Sequence, residues 1–489
     1  MASFLETLRP GASAYFVGIK GTGVSAIAEL IHNMGIKVSG SDTTEVFYTD
    51  AILKDLNIPY FESFDPSHVK DGTDMVIHSA AYSEENNVEL AEARRKSIPL
   101  LTYPEALGLY SAAFDSTGVA GVHGKTTTTA MCGCLFQGLG LPAQILAGSA
   151  VANFNGKSTL VLGNKYFLAE TCEYKKHFLA FSPKRVILTA VESDHQDFFP
   201  TYESIRSAFA EYCRLIPPGG ELIYCADDPG AAEVAKITDK EKRGVTLIPY
   251  GFTAEGPFRV NSYRVENERA FFGIDIFDGE LVLRIPGRHQ ALNAAAAAAV
   301  SSVLVKKEFS DGWTGPRRQA VKKALEEFSG SKRRSEIIGR AGGIVFMDDY
   351  GHHPTAIRAT LQGLRDFFPS RRLVVSFMSH TYTRTAALLD DFAAALAAAD
   401  VLFLHRIYAS ARERYDGLIS GKSVYDKIAG IRGNIADTVF YADDPMDAFE
   451  PLKTILKQGD IFLTLGAGNN WPLGVRLYEY YRGRNGVSL

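Results

Sequence analysis

Residues Gly121, Val122, His123, Gly124, Lys125, Thr126 and Thr127 follow an apolar run ending at Ala120 and precede a helical pattern. That arrangement reads as a phosphate-binding loop. Glycines let backbone N–H groups approach anionic oxygens, a helix N-terminus adds partial positive charge, Lys125 neutralises terminal phosphates and the Thr126 hydroxyl suits Mg²⁺. Val119 stands where the full GxxxxGK[ST] spacing wants glycine, so only the GxxGKT core is present. A second glycine-rich strand-to-helix turn lies near the N-terminus, at Gly18, Gly21 and Gly23. Lys20 at its middle position does not meet the nicotinamide or flavin fingerprint, while Asp42 at the end of the next strand suits a ribose or base. A nucleoside diphosphate is expected there.

Downstream of the phosphate loop, Glu170 and Glu173 in LAETCEYKKHF, then Glu192, Asp194 and His195 in VESDHQD, end apolar strand-like runs. Strand ends in α/β folds face the ligand crevice. A hard cation between phosphates wants carboxylate oxygens, and a neutral His can join where a second metal sits nearby, so Glu173 and His195 are candidate ligands beside Thr126. His289 and Asn293 in GRHQALN are four apart at a helix start and can face one ligand together. In Asp348, Asp349, Tyr350, Gly351, His352, His353 and Pro354, two acids, an aromatic and two imidazoles crowd the end of one apolar run. Packing does not need that combination. His380, Tyr382 and Arg384 follow the next strand and are expected on the same edge, where an Arg suits a carboxylate. Six of the eleven histidines fall in these clusters, which points to one composite site between domains.

The elements that must carry these groups alternate. Runs such as AYFVGI and MVIHSA are separated by helical patterns over the first hundred residues, and a second, larger α/β pattern begins at residue 116. Residues 258–285 switch to apolar and polar alternation with turn residues, which predicts a small antiparallel sheet. From residue 344 onward strands and helices alternate regularly again, as in a parallel, doubly wound sheet. The expected fold class is therefore α/β in three domains: a Rossmann-like domain over 1–112, a central P-loop-type ATPase domain with its small antiparallel sheet over 113–328, and a C-terminal Rossmann-like domain over 329–489. The 489 residues suit that number. With 52 Lys and Arg against 56 Asp and Glu, the chain lacks the basic excess that sequence-independent nucleic-acid binding requires. Five irregularly spaced cysteines speak against a disulfide framework or structural zinc, and no leader pattern or long apolar span is present, so a cytoplasmic protein without membrane insertion is expected.

With the phosphate loop, the Glu and His strand ends, GRHxxLN, DDYGHHP and HxYTRT in this order, the chain resembles the Mur ligases over nearly its whole length, and within them the branch that adds alanine. VGIKGTGVSAIAE and VSGSD resemble that family's UDP-binding loop and second strand. The resemblance implies UDP-N-acetylmuramate, ATP and L-alanine as substrates, Mg²⁺ (or Mn²⁺) as cofactor, an acyl-phosphate intermediate and a monomer or homodimer. It implies that Gly21, Thr22, Gly23, Ser41, Asp42 and Ser79 face the UDP-sugar. Gly121, His123, Gly124, Lys125, Thr126, Thr127, His289, Asn293, Arg334 and Asp349 then belong to ATP, and Thr126, Glu173 and His195 to the metal. Lys125, His352, His380 and Arg384 would carry the chemistry, Arg384 meeting the amino-acid carboxylate. Lys20, the LAETCEYKKHF segment, Ala190 and Thr381 depart from the family pattern, Thr381 replacing the first arginine of HRYTRT. The competing readings are a sister ligase adding glycine, serine or a peptide, and a partner-driven P-loop ATPase.

Overall fold

A computed structural model describes residues 11–45, 47, 49–409, 413, 417–433, 435 and 437–485. The opening decapeptide, part of the stretch read for a leader, lies outside the described residues. The chain divides into two compact units: Met1–Glu192 with Arg206–Ala254 and Ala296–Val321, and Ser193–Ile205 with Glu255–Ala295 and Lys322–Leu489. No helix among the described residues is long and apolar enough to cross a membrane.

The first unit holds two sheets. Strands β1 (Ser13–Val17), β2 (Lys37–Ser41), β3 (Tyr60–Phe61), β4 (Met75–His78) and β5 (Leu100–Thr102) form a parallel sheet in the order β3-β2-β1-β4-β5. The order reverses between β1 and β4, so their C-terminal ends open the crevice in which such sheets take ligands. The second sheet comprises β6 (Asp115–Ala120), β7 (Ala143–Val151), β8 (Lys157–Val161), β9 (Tyr166–Glu170), β10 (Arg185–Leu188), β11 (Glu221–Cys225) and β12 (Thr246–Tyr250), ordered β12-β11-β10-β6-β9-β7-β8. Only β8 runs antiparallel, along β7. Strand β10 is buried throughout, the continuous apolar reading of a strand covered on both faces. Its Arg185 is also buried, held by Asp115 at 2.6 Å and Glu221 at 3.3 Å.

The second unit carries the antiparallel sheet expected over 258–285, as β13 (Val260–Glu266), β14 (Arg269–Ile274) and β15 (Leu281–Leu283). Its main sheet comprises β16 (Glu336–Ala341), β17 (Ile344–Asp349), β18 (Arg372–Phe377), β19 (Val401–Leu404), β20 (Val439–Tyr441) and β21 (Asp460–Leu465), ordered β16-β17-β21-β18-β19-β20. Five strands are parallel and β16 adds an antiparallel edge. Strand β17 is buried from end to end. The helix Pro354–Phe367 that follows starts on a proline, is capped by the His353 ring accepting from Thr355 N at 3.4 Å, and turns Ile357, Leu361 and Leu364 into the core. Because β17 and β18 lie on opposite sides of β21, a switch point falls at their C-terminal ends, where the DDYGHH and SHTYTR segments emerge.

Candidate active site

Strand β6 runs straight into the phosphate loop, and two glycines make the turn possible. Gly121 has φ +136°, and a Cβ there would fall 2.1 Å from Thr189 Oγ1. Gly124 has φ +80° and caps the helix Lys125–Leu139. The loop is tied to β10 by Val122 N donating to Ala190 O at 2.9 Å and by the Thr189 hydroxyl donating to His123 O. Lys125 Nζ donates to Glu173 Oε2 at 2.9 Å, and Thr126 Oγ1 donates to Glu170 Oε2 at 2.8 Å. Desolvation works against the Lys125 ammonium, but Glu173 and Glu170 outweigh it and hold its pKa above the ordinary value. Lys125 is therefore a cation at neutral pH.

Glu170, a strand-end carboxylate outside the candidate ligand set, is the one beside the Thr126 hydroxyl. It is fixed by Gly148 N donating at 2.8 Å, and a Cβ at Gly148 would come within 2.3 Å of it. His123 pairs with Glu192. Asp228 accepts from Val191 N at 2.9 Å and Ala231 N at 2.7 Å, and burial pushes its carboxyl up.

At the first sheet, Gly18 N and Ile19 N both donate to Ser41 O, at 2.9 and 3.1 Å, and Gly21 caps the helix Thr22–His32. Gly23 packs on Tyr103, 2.8 Å from where a Cβ would stand, and Ser79 lies against Gly18. Asp42 accepts from Lys20 N at 2.7 Å and Thr43 N at 2.8 Å, so its carboxylate organises the turn. The Ser41 hydroxyl donates to the buried Glu89, which also takes Tyr15 OH at 3.0 Å. Lys20 is fully buried, its ammonium bound to Glu62 at 2.7 Å, Thr43 O at 2.9 Å and Asp50 at 3.3 Å. Lys20 thus builds the turn that follows β2.

In the second unit, Asp349 Oδ2 accepts from Ser335 N at 2.6 Å and Oδ1 from Gly351 N at 2.7 Å. The Arg333 and Arg334 guanidinium groups lie 5.0 and 4.9 Å from the Tyr350 ring centre. His289 and Asn293 do share a face, bridged by Gln290: its Nε2 is 3.0 Å from His289 Nε2 and its Oε1 accepts from Asn293 Nδ2 at 2.9 Å. Sequence reasoning passed over Gln290, although an amide between two polar helix positions was the available signal.

The structure brings His352, His380 and Arg384 together. The His352 and His380 ring centres are 5.9 Å apart. His352 Nδ1 lies 3.0 Å from Tyr350 O, and a carbonyl only accepts, so the proton sits on Nδ1 and Nε2 keeps its lone pair. Arg384 Nη1 donates to His380 Nδ1 at 3.2 Å, which puts the His380 proton on Nε2. Arg384 also places Nε at 2.9 Å and Nη2 at 2.6 Å from Asp194 Oδ1, in an ion pair whose side chains are only 4% and 3% exposed. Burial would raise the Asp194 carboxyl, but Arg384, with His195 and His352, holds it far below the usual carboxylate range. Desolvation, then Arg384, holds His352 well below the ordinary imidazole value, so it is neutral at pH 7. Asp194 is the partner the sequence did not assign; a charged residue beside a histidine at a strand end was its only signal.

His195 belongs to this second unit, whereas Thr126 and Glu173 belong to the first. His195 lines a cleft with Gln196, Asp197, His380, Arg384 and Glu413. Thr381 also borders it at φ +68°, a strained setting for a β-branched residue, held by its N–H donating to Tyr408 O at 3.0 Å. Glu413 accepts from the N–H groups of Tyr382 and Thr383 at the start of the helix Tyr382–Ala387.

A phosphate loop on a parallel sheet, with a separate histidine and arginine cluster at a second switch point, defines an α/β nucleotide-dependent enzyme class. Family profiles place it further. Residues 13–115 match the Mur ligase family catalytic domain, 119–301 the Mur ligase middle domain, and 333–468 the Mur ligase glutamate ligase domain. The chain is 48% identical over 472 residues to the UDP-N-acetylmuramate–L-alanine ligase of Treponema pallidum (strain Nichols), covering 96% of this chain and 97% of that one. Among solved structures it is similar to the UDP-N-acetylmuramate-alanine ligase of Thermotoga maritima, with TM-score 0.75, 26% identity, and 96% and 99% of the two chains covered. It shares its fold with a murein peptide ligase of Psychrobacter arcticus, with TM-score 0.65, 22% identity and coverage of 96% and 98%. This chain belongs to the Mur ligase family.

Proposed function

We propose that this chain joins L-alanine to the lactyl carboxylate of UDP-N-acetylmuramate, converting ATP to ADP and phosphate, as a cytoplasmic step of peptidoglycan precursor synthesis. The observation that carries the ligase chemistry is the phosphate loop, whose Thr126 meets Glu170 at the end of β9 and whose Lys125 meets Glu173 three residues beyond it. The choice of substrates rests on the full-length likeness to alanine-adding relatives. The reading takes three domains, 1–112 for the UDP-sugar, 113–328 for ATP and 329–489 for the amino acid.

A carboxylate is a poor electrophile, so the lactyl carboxylate must first take the γ-phosphoryl group. Lys125 neutralises the transferring phosphoryl oxygens, and the loop N–H groups of Gly121, His123, Gly124 and Thr127 orient the chain of phosphates. Hard oxygen donors stand beside this loop, the Thr126 hydroxyl and the Glu170 carboxylate within 2.8 Å of each other, and they fit Mg²⁺ or Mn²⁺ with Glu173 close by. When bound, the ion would offset phosphate charge. Lys125, released from Glu173 by an arriving phosphate, would turn its charge onto the nucleotide. Gly21, Thr22, Gly23, Ser41, Asp42 and Ser79 form the UDP-sugar loop. His289, Asn293 and Arg334 would meet the nucleotide, and Asp349 would hold the Arg334 segment through Ser335. His352 Nε2, neutral and unprotonated, accepts the amine proton; the amine nitrogen then attacks the acyl carbon as the carbon–oxygen bond to phosphate breaks.

The test is product mass. Purified protein given ATP, Mg²⁺, UDP-N-acetylmuramate and L-alanine, glycine or L-serine is expected to form the alanyl adduct fastest. An adduct only with a peptide, or none with any amino acid, would overturn the assignment.

A further inference from the structure

Gln196 lines the cleft of the second unit and carries an amide oxygen with no partner among the described residues. Gln196 Oε1 is buried and, among the described residues, accepts no hydrogen bond. An amide oxygen can only accept, so what completes it must bring an N–H or O–H. The cleft's charge points the same way. Among the described residues lining it, the one arginine, Arg384, gives two N–H groups to Asp194, while the carboxylates of Asp197 and Glu413 also line it, so the described lining carries more carboxylates than guanidinium groups. About 10 Å³ of the cleft admits the centre of a water-sized group, room for one ammonium and none for a nucleotide.

We infer that the Gln196 carbonyl receives the ammonium end of the incoming amino acid, making Gln196 a specificity residue that selects a primary amine. This rests on the ligase reading above. One ammonium N–H is held on Gln196 Oε1 while another proton passes to an imidazole, leaving R–NH₂ with a lone pair and an imidazolium. Attack then forms the C–N bond and breaks the C–O bond to phosphate, and the departing phosphate takes the second amine proton. Arg384 Nη1, which donates to His380 Nδ1 at 3.2 Å and to His380 O at 3.3 Å rather than to Asp194, would exchange one of these bonds for the carboxylate.

The test is steady-state kinetics of the full chain with Gln196→Leu, which keeps bulk and removes the acceptor, and Gln196→Glu, which restores one; Gln196→Met serves if the leucine variant does not fold. Gln196→Leu is expected to raise KM for L-alanine about tenfold or more with KM for ATP unchanged, and Gln196→Glu to bring it back. L-Alaninamide, which keeps the ammonium and lacks the carboxylate, should lose inhibition in Gln196→Leu by the same factor, and L-lactate, with the carboxylate alone, should not. If wild-type turnover depends on alanine but Gln196→Leu matches it in KM and in alaninamide inhibition, the inference fails and the ligase reading stands. Equal losses for lactate and alaninamide also overturn it. Wild-type protein with no amino-acid-dependent turnover would overturn the ligase reading itself.

Discussion

His352 and His380 carry opposite tautomers, and in the proposed ligation that difference selects which of them would handle a proton. A carbonyl fixes the His352 proton on Nδ1 and a guanidinium fixes the His380 proton on Nε2, so only His352 offers its Nε2 lone pair. Replacing His352 with Asn should lower kcat for alanine ligation roughly 100- to 10,000-fold, the range for a positioned general base, while KM for ATP stays put. With His352 held neutral by desolvation and Arg384, the acid limb of wild-type kcat should lie below the ordinary histidine range; an acid limb near pH 6.5, or a His352→Asn variant at full rate, would contradict the role. Residue types at this scale were legible: DDYGHHP and HTYTR were chemistry looking for a site. Pairings were not. Asp194 and Arg384 are 190 residues apart, and no local pattern says that a guanidinium free to meet a substrate carboxylate already has a carboxylate of its own.

Elements were easier to read than partners because burial imposes a period. Strands β9, β10, β11, β17 and β18 fall on the apolar runs, and the antiparallel sheet falls where alternation replaced them. The β7 and β8 pair and the antiparallel edge β16 were not foreseen. Both pair with near neighbours in sequence, β7 with β8 and β16 with β17 across Gly342 and Gly343, and each pair carries a register shift that breaks the regular alternation. Pairing also explains one residue that motif reading left aside. His405 sits beneath β18, its Nε2 2.8 Å from Ser376 Oγ and its Nδ1 2.8 Å from Ala442 O, just beyond β20. Burial lowers its pKa from 6.5 to about 4. Above pH 6.5 both folded and unfolded states hold it neutral; as pH falls from 6.5 toward 4 only the unfolded chain takes the proton, so stability drops by on the order of 3 kcal/mol. Urea unfolding should show that loss in wild type and a shallower slope over the same window in His405→Gln. Parallel slopes in the two proteins would contradict a buried neutral His405.

At the scale of the molecule, two units divide the proposed labour. The phosphate loop, Glu170, Glu173 and the UDP-sugar turn lie in the first; His195, Gln196, the His352, His380 and Arg384 group, and the His289 to Asn293 face lie in the second. Ser193–Ile205 belongs to the second unit although the chain on either side of it belongs to the first, a placement that no composition shift or linker signal announces. The motifs behind the resemblance stand for expected ligand contacts, whereas Asp194 and Gly148 act on other side chains or on shape, and Gln196 falls in none of those motifs. Ligation by this scheme requires every substrate at once, since phosphoryl transfer needs the lactyl carboxylate and turnover needs the amine. The most direct measurement is phosphate release from ATP and Mg²⁺ with UDP-N-acetylmuramate and L-alanine each present or withheld, alongside Lys125→Ala. Sustained release is expected only with both co-substrates, and to be lost in Lys125→Ala; release that continues without the UDP-sugar would contradict the ligase account and indicate an ATPase that serves some other partner.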